Sequence, residues 1–174
     1  MREAELYPPL KRHFEGLGYA VYAEVPAPHG GYVDLLAVRE PVAVAVELKP
    51  AFSRAAVRQA GRNTHYVWES YVAVPQGARV LPRRRAALKR HGAGLLLVKR
   101  ADSRVVTEVE ARRQAPPCTV REAFGRYLAG PLGGVYAAAQ GGVPTAERVS
   151  AFQVLLEKIE ASLEARGGIA NTGQ

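Results

Sequence analysis

Apolar positions recur along the chain with two different periods, and the change from one to the other marks out the expected elements. Leu6, Leu10, Phe14 and Leu17 fall at steps of four, four and three, the stripe of a helix with one buried face. Pro8 and Pro9 lack amide protons and belong in a first turn, so this helix is expected to start near Leu6 or Tyr7, with Glu3 just upstream. Tyr19 to Val25 suits a pleated surface and reads as a strand, closed by Pro26, Pro28, Gly30 and Gly31. Val33 to Val38 and Val42 to Leu48 are apolar runs of strand length. Between them Arg39-Glu40-Pro41 suits a reversal, so a hairpin is expected. Ser53 is placed to cap a helix from Arg54 to Tyr66, and Tyr71 to Val74 reads as a short buried strand. A basic helix over Arg83 to His91 and strands over Gly94 to Val98 and Val105 to Val109 complete the series. The order α-β-β-β-α-β-α-β predicts an α/β fold, a mixed central sheet flanked by helices.

Composition shifts at Arg112 to Pro117, which reads as a linker. The division expected is a core over residues 1–110, a linker over 111–118 and a small helical C-terminal domain over 119–174. Thr119 and Glu122 form a capping-box signature for a helix through about Leu128, and Pro131 with Gly133 and Gly134 starts a short one. After a turn at 141–144, a final helix over 145–166 carries Val149, Phe152, Leu156, Ile159 and Leu163 at steps of three and four. That stripe is a packing face or a homodimer contact, and the helix series is also compatible with a helix-turn-helix.

With 174 residues and 18.8 kDa, the chain has room for one sizeable core and an appendage. Its 24 Lys and Arg against 16 Asp and Glu give a net charge of +8 and a pI near 9.9, which favours a polyanionic partner. DNA leads, ahead of an anionic membrane surface. No apolar run is long enough to span a bilayer, and the opening residues lack the apolar stretch of a signal peptide, so a cytoplasmic location is expected. One cysteine, Cys118, excludes an internal disulfide. The scattered His13, His29, His65 and His91 form no zinc set, so any metal must be held by oxygen.

Candidate chemistry gathers on the hairpin. Glu47 and Lys49 lie two apart on a strand and leave the same face. A turn centred between Glu40 and Pro41 gives hairpin partners an index sum of 81, which sets Asp34 opposite Glu47 with Cβ atoms roughly 4.5–5.5 Å apart. A shift of one residue would make the two diagonal instead. Glu47 follows Ala43 and Ala45 on the small-residue face of a strand that looks largely buried. Two buried carboxylates need a cation to stay ionised; Lys49 supplies one charge and a divalent ion the rest. The plainer reading is a salt bridge among Asp34, Glu47 and Lys49, since an isolated E-x-K triplet is common. Separately, Arg79, Arg83, Arg84, Arg85, Lys89 and Arg90 cluster within twelve positions, and Arg54, Arg58 and Arg62 recur every four residues. Both sets suit phosphate contacts, or are solvated faces.

Taken together, Glu3, Asp34 in Y-V-D-L-L-A-V, Glu47 and Lys49 in V-E-L-K, and Gln59 in V-R-Q-A resemble, in order and spacing, the PD-(D/E)XK or restriction-endonuclease-like nuclease superfamily. The resemblance covers about residues 1–98, and Val33 stands where the family name has proline. It implies a restriction-endonuclease-like core and metal-dependent hydrolysis of DNA phosphodiesters, by an endonuclease rather than an exonuclease. It implies catalytic roles for Asp34, Glu47, Lys49, Gln59 and Glu3, with Glu5 a rival to Glu3. Glu24, at the end of the preceding strand, reads as an exposed strand-end charge, with a place facing the site as the alternative. Metal ligands would be Asp34, Glu47 and the carbonyl of Leu48, holding Mg²⁺, with Mn²⁺ able to substitute. Arg54, Arg58, Arg62, Arg83, Arg84, Arg85 and Lys89 would meet the DNA. The alternative is a non-catalytic nucleic-acid-binding protein that keeps the nuclease fold.

Overall fold

The apolar runs pair into one six-stranded mixed sheet, in the order β1 (Ala20–Pro26), β2 (Tyr32–Arg39), β3 (Val42–Leu48), β4 (Glu69–Pro75), β5 (Gly94–Val98) and β6 (Val105–Val109). This is a computed structural model, which describes residues 1–28, 30–138 and 141. β1, β2 and β3 form an antiparallel meander, β3, β4 and β5 run parallel, and β6 returns antiparallel along β5. Every β2–β3 pair from Arg39↔Val42 to Leu35↔Val46 has an index sum of 81, the sum expected from a turn centred between Glu40 and Pro41. The fold is α/β, a mixed sheet with helices on both faces.

β3 is buried at every position, because helices cover both of its faces. On one side α1 (Glu3–Gly16) lays Leu6, Tyr7, Leu10 and Phe14 on Val42, Val44, Val46 and Leu48. On the other, Ala43 and Ala45 leave room for Tyr66, Val67 and the Val120 and Phe124 side chains of α4 (Val120–Leu128). The parallel strands are joined through α2 (Arg54–Asn63) and α3 (Pro82–Arg90). Since β3, β4 and β5 are neighbours in sequence order, crossovers of the same hand put both helices on one face, side by side. Ala56, Val57 and Ala60 of α2 and Leu88 of α3 share a core with Val72, Val74 and Leu95. Their contact needs Gly61: a Cβ there would stand 2.8 Å from His91 Cγ.

Two elements depart from expectation. α1 begins at Glu3, a full turn earlier than the prolines suggest. The Arg2 amide donates to Glu5 Oε2 at 2.9 Å and the Glu5 amide to the Arg2 carbonyl at 3.1 Å, which closes a first turn there. Pro8 and Pro9 therefore sit inside the helix and withhold amide donors from the Ala4 and Glu5 carbonyls, a loss offset by burying Leu6, Tyr7, Pro9 and Leu10. α2 stops at Asn63, short of Tyr66, because the Tyr66 and Val67 amides turn back to the Asn63 carbonyl. α4 starts at the expected Thr119 cap, and it and α5 (Gly130–Ala138) pack on the sheet: Val120, Phe124 and Tyr136 share a core with Val25, Val33 and Leu36. The expected helix over 145–166, its apolar stripe and His29 lie outside the described residues. No helix among the described residues is long and apolar enough to cross a membrane.

Candidate active site

β2 enters the sheet where β3 leaves it, and the first positions beyond their last ladder pair, Leu35↔Val46, are Asp34 and Glu47. Glu47 is in step with Ala43 and Ala45, and its carboxylate and that of Asp34 converge on the Lys49 ammonium. Asp34 Oδ2 accepts the Leu48 amide and the Lys49 ammonium, each at 2.9 Å. Lys49 lies one residue past β3, its own amide tied to the Ala73 carbonyl of β4 at 3.0 Å. Its Nζ also stands 3.9 Å from Glu47 Oε2 and 3.5 Å from Glu3 Oε1. The early start of α1 is what brings Glu3 here. Glu5 is instead engaged with Arg2, so Glu3 is the acid that meets Lys49.

One ammonium thus faces three carboxylates in a place with little water. Glu47 has 0% exposure and Asp34 3%. Burial pushes the Glu47 carboxyl well above its usual range, and the neighbouring Asp34 charge pushes it further, against the pull of the Asn63 hydrogen bond and of Lys49. Burial works against the Lys49 ammonium as well, but Asp34, Glu47 and Glu3 outweigh it and raise its pKa. Lys49 is therefore held as a cation.

Glu47 has a second set of partners that the sequence reading missed. Asn63 Nδ2 donates to Glu47 Oε1 at 2.8 Å, and Tyr66 Oη donates to Asn63 Oδ1. Glu47 Oε2, equally buried, has no hydrogen-bond donor among the described residues. Gln59, expected at the site, lines the groove between α2 and α3 with Arg58, Arg62, His65 and His91. Asn63 is one helical turn further along α2, and that shared spacing is the signal that could have found it.

Glu24 is half-buried rather than an exposed strand-end charge. It occupies the β1 position facing Asp34, between the pairs Ala23↔Leu35 and Val25↔Val33, with a left-handed φ of 54°. Tyr7 of α1 lies near it: burial, then the charges of Glu15 and Glu24, push the Tyr7 hydroxyl up to about 12.

The basic clusters separate by flank. Arg54, Arg58, Arg83, Arg84 and Arg90 line a cleft of about 310 Å³ between α2 and α3, and Arg58 and Arg62 line an adjoining one of about 520 Å³. Arg85 and Lys89 do not join them. Arg85 pairs with Glu108 of β6 at 3.1 Å, and Lys89 faces Glu108 and Glu110 on that same outer flank.

No protein-family model matches the chain, and no curated protein does. Among solved structures, the SPO1766 protein of unknown function from Silicibacter pomeroyi aligns over 98% of this chain and 98% of its own, with a TM-score of 0.48 and 15% identity.

Proposed function

We propose that the chain is a metal-dependent nuclease that hydrolyses DNA phosphodiester bonds, acting as an endonuclease in the cytoplasm. The observation that carries this reading is the buried pair of Asp34 and Glu47 beside Lys49, with Glu47 Oε2 lacking a donor. An orphaned carboxylate oxygen next to a second carboxylate is an expensive arrangement that a hard cation relieves. Among the described residues no three His, Cys, Asp or Glu side chains converge as a metal site. Two carboxylates and a carbonyl suit an ion that keeps several waters, as Mg²⁺ does. Asp34, Glu47 and the Leu48 carbonyl would hold Mg²⁺ or Mn²⁺, which supplies polarisation of the phosphate and stabilises developing charge.

The chain's own groups do the rest. Lys49, held charged by three carboxylates, orients the attacking water and offsets negative charge on the phosphate. Asn63 fixes the Glu47 carboxylate in one orientation, and Glu3 places the Lys49 ammonium. The net charge of +8 supplies attraction to DNA.

The test is a panel of plasmid, single-stranded and branched DNA incubated with Mg²⁺, Mn²⁺ or EDTA. Metal-dependent cleavage that Glu47→Gln removes supports the reading. Tight DNA binding with no cleavage of any substrate leaves a non-catalytic nucleic-acid-binding protein.

A further inference from the structure

Arg54, Arg58, Arg62, Arg83, Arg84 and Arg90 all line the groove between α2 and α3. Among the described residues, no carboxylate comes within 4.0 Å of any of these six guanidinium groups. The outer flank of the same α3 is different, since Arg85 there has Glu108 at 3.1 Å. The protein neutralises one side of this helix and leaves the other to repel itself, an arrangement that polyanions in solution relieve.

The groove's dimensions narrow the choice of polyanion. Its floor is the contact of Gly61 backbone with His91, and helices in contact lie about 8–10 Å apart between axes. A duplex, whose two backbones flank a major groove about 12 Å wide, is broader than that spacing, so it cannot enter between the helices as a whole. A single sugar-phosphate strand can enter. Arg54, Arg58 and Arg62 repeat every four residues and so span about 12 Å along α2, the rise of three to four nucleotides at about 3.4 Å each. The walls carry Val57, Ala87 and imidazoles but no phenyl, phenol or indole ring for bases to stack on. On the groove wall, Arg84 Nη1 donates at 2.6 Å to the carbonyl of Phe52, in the segment that leads from Lys49 into α2.

We infer that the α2–α3 groove binds one strand of nucleic acid by its phosphates, without reading sequence, and takes single-stranded in preference to duplex DNA. This gives the form of the substrate for the proposed nuclease, and rests on that reading for the identity of the polyanion.

Fluorescence anisotropy in EDTA, with the full chain, compares a labelled single strand of about 16 nucleotides with its duplex across a salt series. The single strand should bind about tenfold tighter than the duplex. The double variant Arg58→Gln/Arg62→Gln, at two exposed positions, should lower the slope of log K against log salt by about 1.4, at about 0.7 per phosphate contact. Arg100→Gln/Arg121→Gln, also exposed and away from the groove, should leave the slope unchanged. A duplex bound as tightly as the single strand, or a groove variant that behaves like the control, overturns the inference. The two readings fail separately. Groove-dependent strand binding with no Mg²⁺-dependent cleavage removes the nuclease and keeps the groove; cleavage that the groove variant leaves untouched removes the groove and keeps the nuclease.

Discussion

Asn63 donates its side-chain amide to Glu47 Oε1 at 2.8 Å and accepts the Tyr66 hydroxyl on its own oxygen. A carboxylate with no exposure is thereby oriented by a neutral group, and the order of donation fixes which way the Asn63 amide faces.

This hydrogen bond lowers the Glu47 pKa against the larger effect of burial, so its loss should raise that pKa further. In Asn63→Ala the acid limb of kcat/KM against pH is expected to move to higher pH, and Tyr66→Phe should move it less, in the same direction. Profiles that superpose on wild type would show that Asn63 does not act through Glu47.

Metal-free stability should carry the signature of the same group. The Glu47 pKa in the folded protein lies well above the ordinary 4.5, because burial and then Asp34 oppose its ionisation. The folded state therefore holds a proton that the unfolded chain gives up, and stability falls as pH rises from about 4.5 through the folded-state value. Glu47→Gln removes this loss. Melting in EDTA should show the variant above wild type at neutral pH, with the gap closing near pH 4; a gap independent of pH would mean that Glu47 ionises freely.

Asp34 and Lys49 should behave in the opposite sense. Asp34 accepts both the Leu48 amide and the Lys49 ammonium, so Asp34→Asn gives up a charge-assisted contact and is expected to lower the melting temperature without metal. Lys49→Ala strands three carboxylates and should cost on the order of 3 kcal/mol in EDTA. Mg²⁺ should restore part of that stability, while cleavage falls at least about a hundredfold. Cleavage within about tenfold of wild type would remove Lys49 from the mechanism.

Phe124 is fully buried and meets Tyr66 edge-on, with ring centroids 5.6 Å apart. Phe124→Ala is expected to cost about 3–5 kcal/mol and to lower the single melting transition of the whole protein. A separate low-temperature transition would instead make α4 an independently folding appendage.

The hairpin register was legible because a two-residue turn at Glu40 and Pro41 leaves little freedom, and with it came the approach of Asp34 to Glu47. The start of α1 was not, since the pairing of Arg2 with Glu5 and the burial of Leu6, Tyr7 and Pro9 overcome what two prolines cost. Asn63 and Gln59 sit one turn apart on α2, and only the packed helix shows that Asn63 meets Glu47 while Gln59 lines the groove. The basic run at 83–90 shows a related limit. Arg85 and Lys89 share a flank at four-residue spacing, but only the packed sheet shows that this flank faces Glu108. Glu24 looked like a loose end because the strand continues past it in a left-handed conformation that sequence patterning does not mark.

Past Leu35↔Val46 the β2–β3 ladder is carried on by a side chain, the Asp34 carboxylate taking the Leu48 amide at 2.9 Å. A proton in such a bond exchanges with solvent only when the bond opens. The deuterium uptake of this one amide therefore reports whether Asp34 is in place. An ion that draws the carboxylate away from the strand should quicken exchange at Leu48, and one that locks the carboxylate should slow it, before any bond in a substrate is cut.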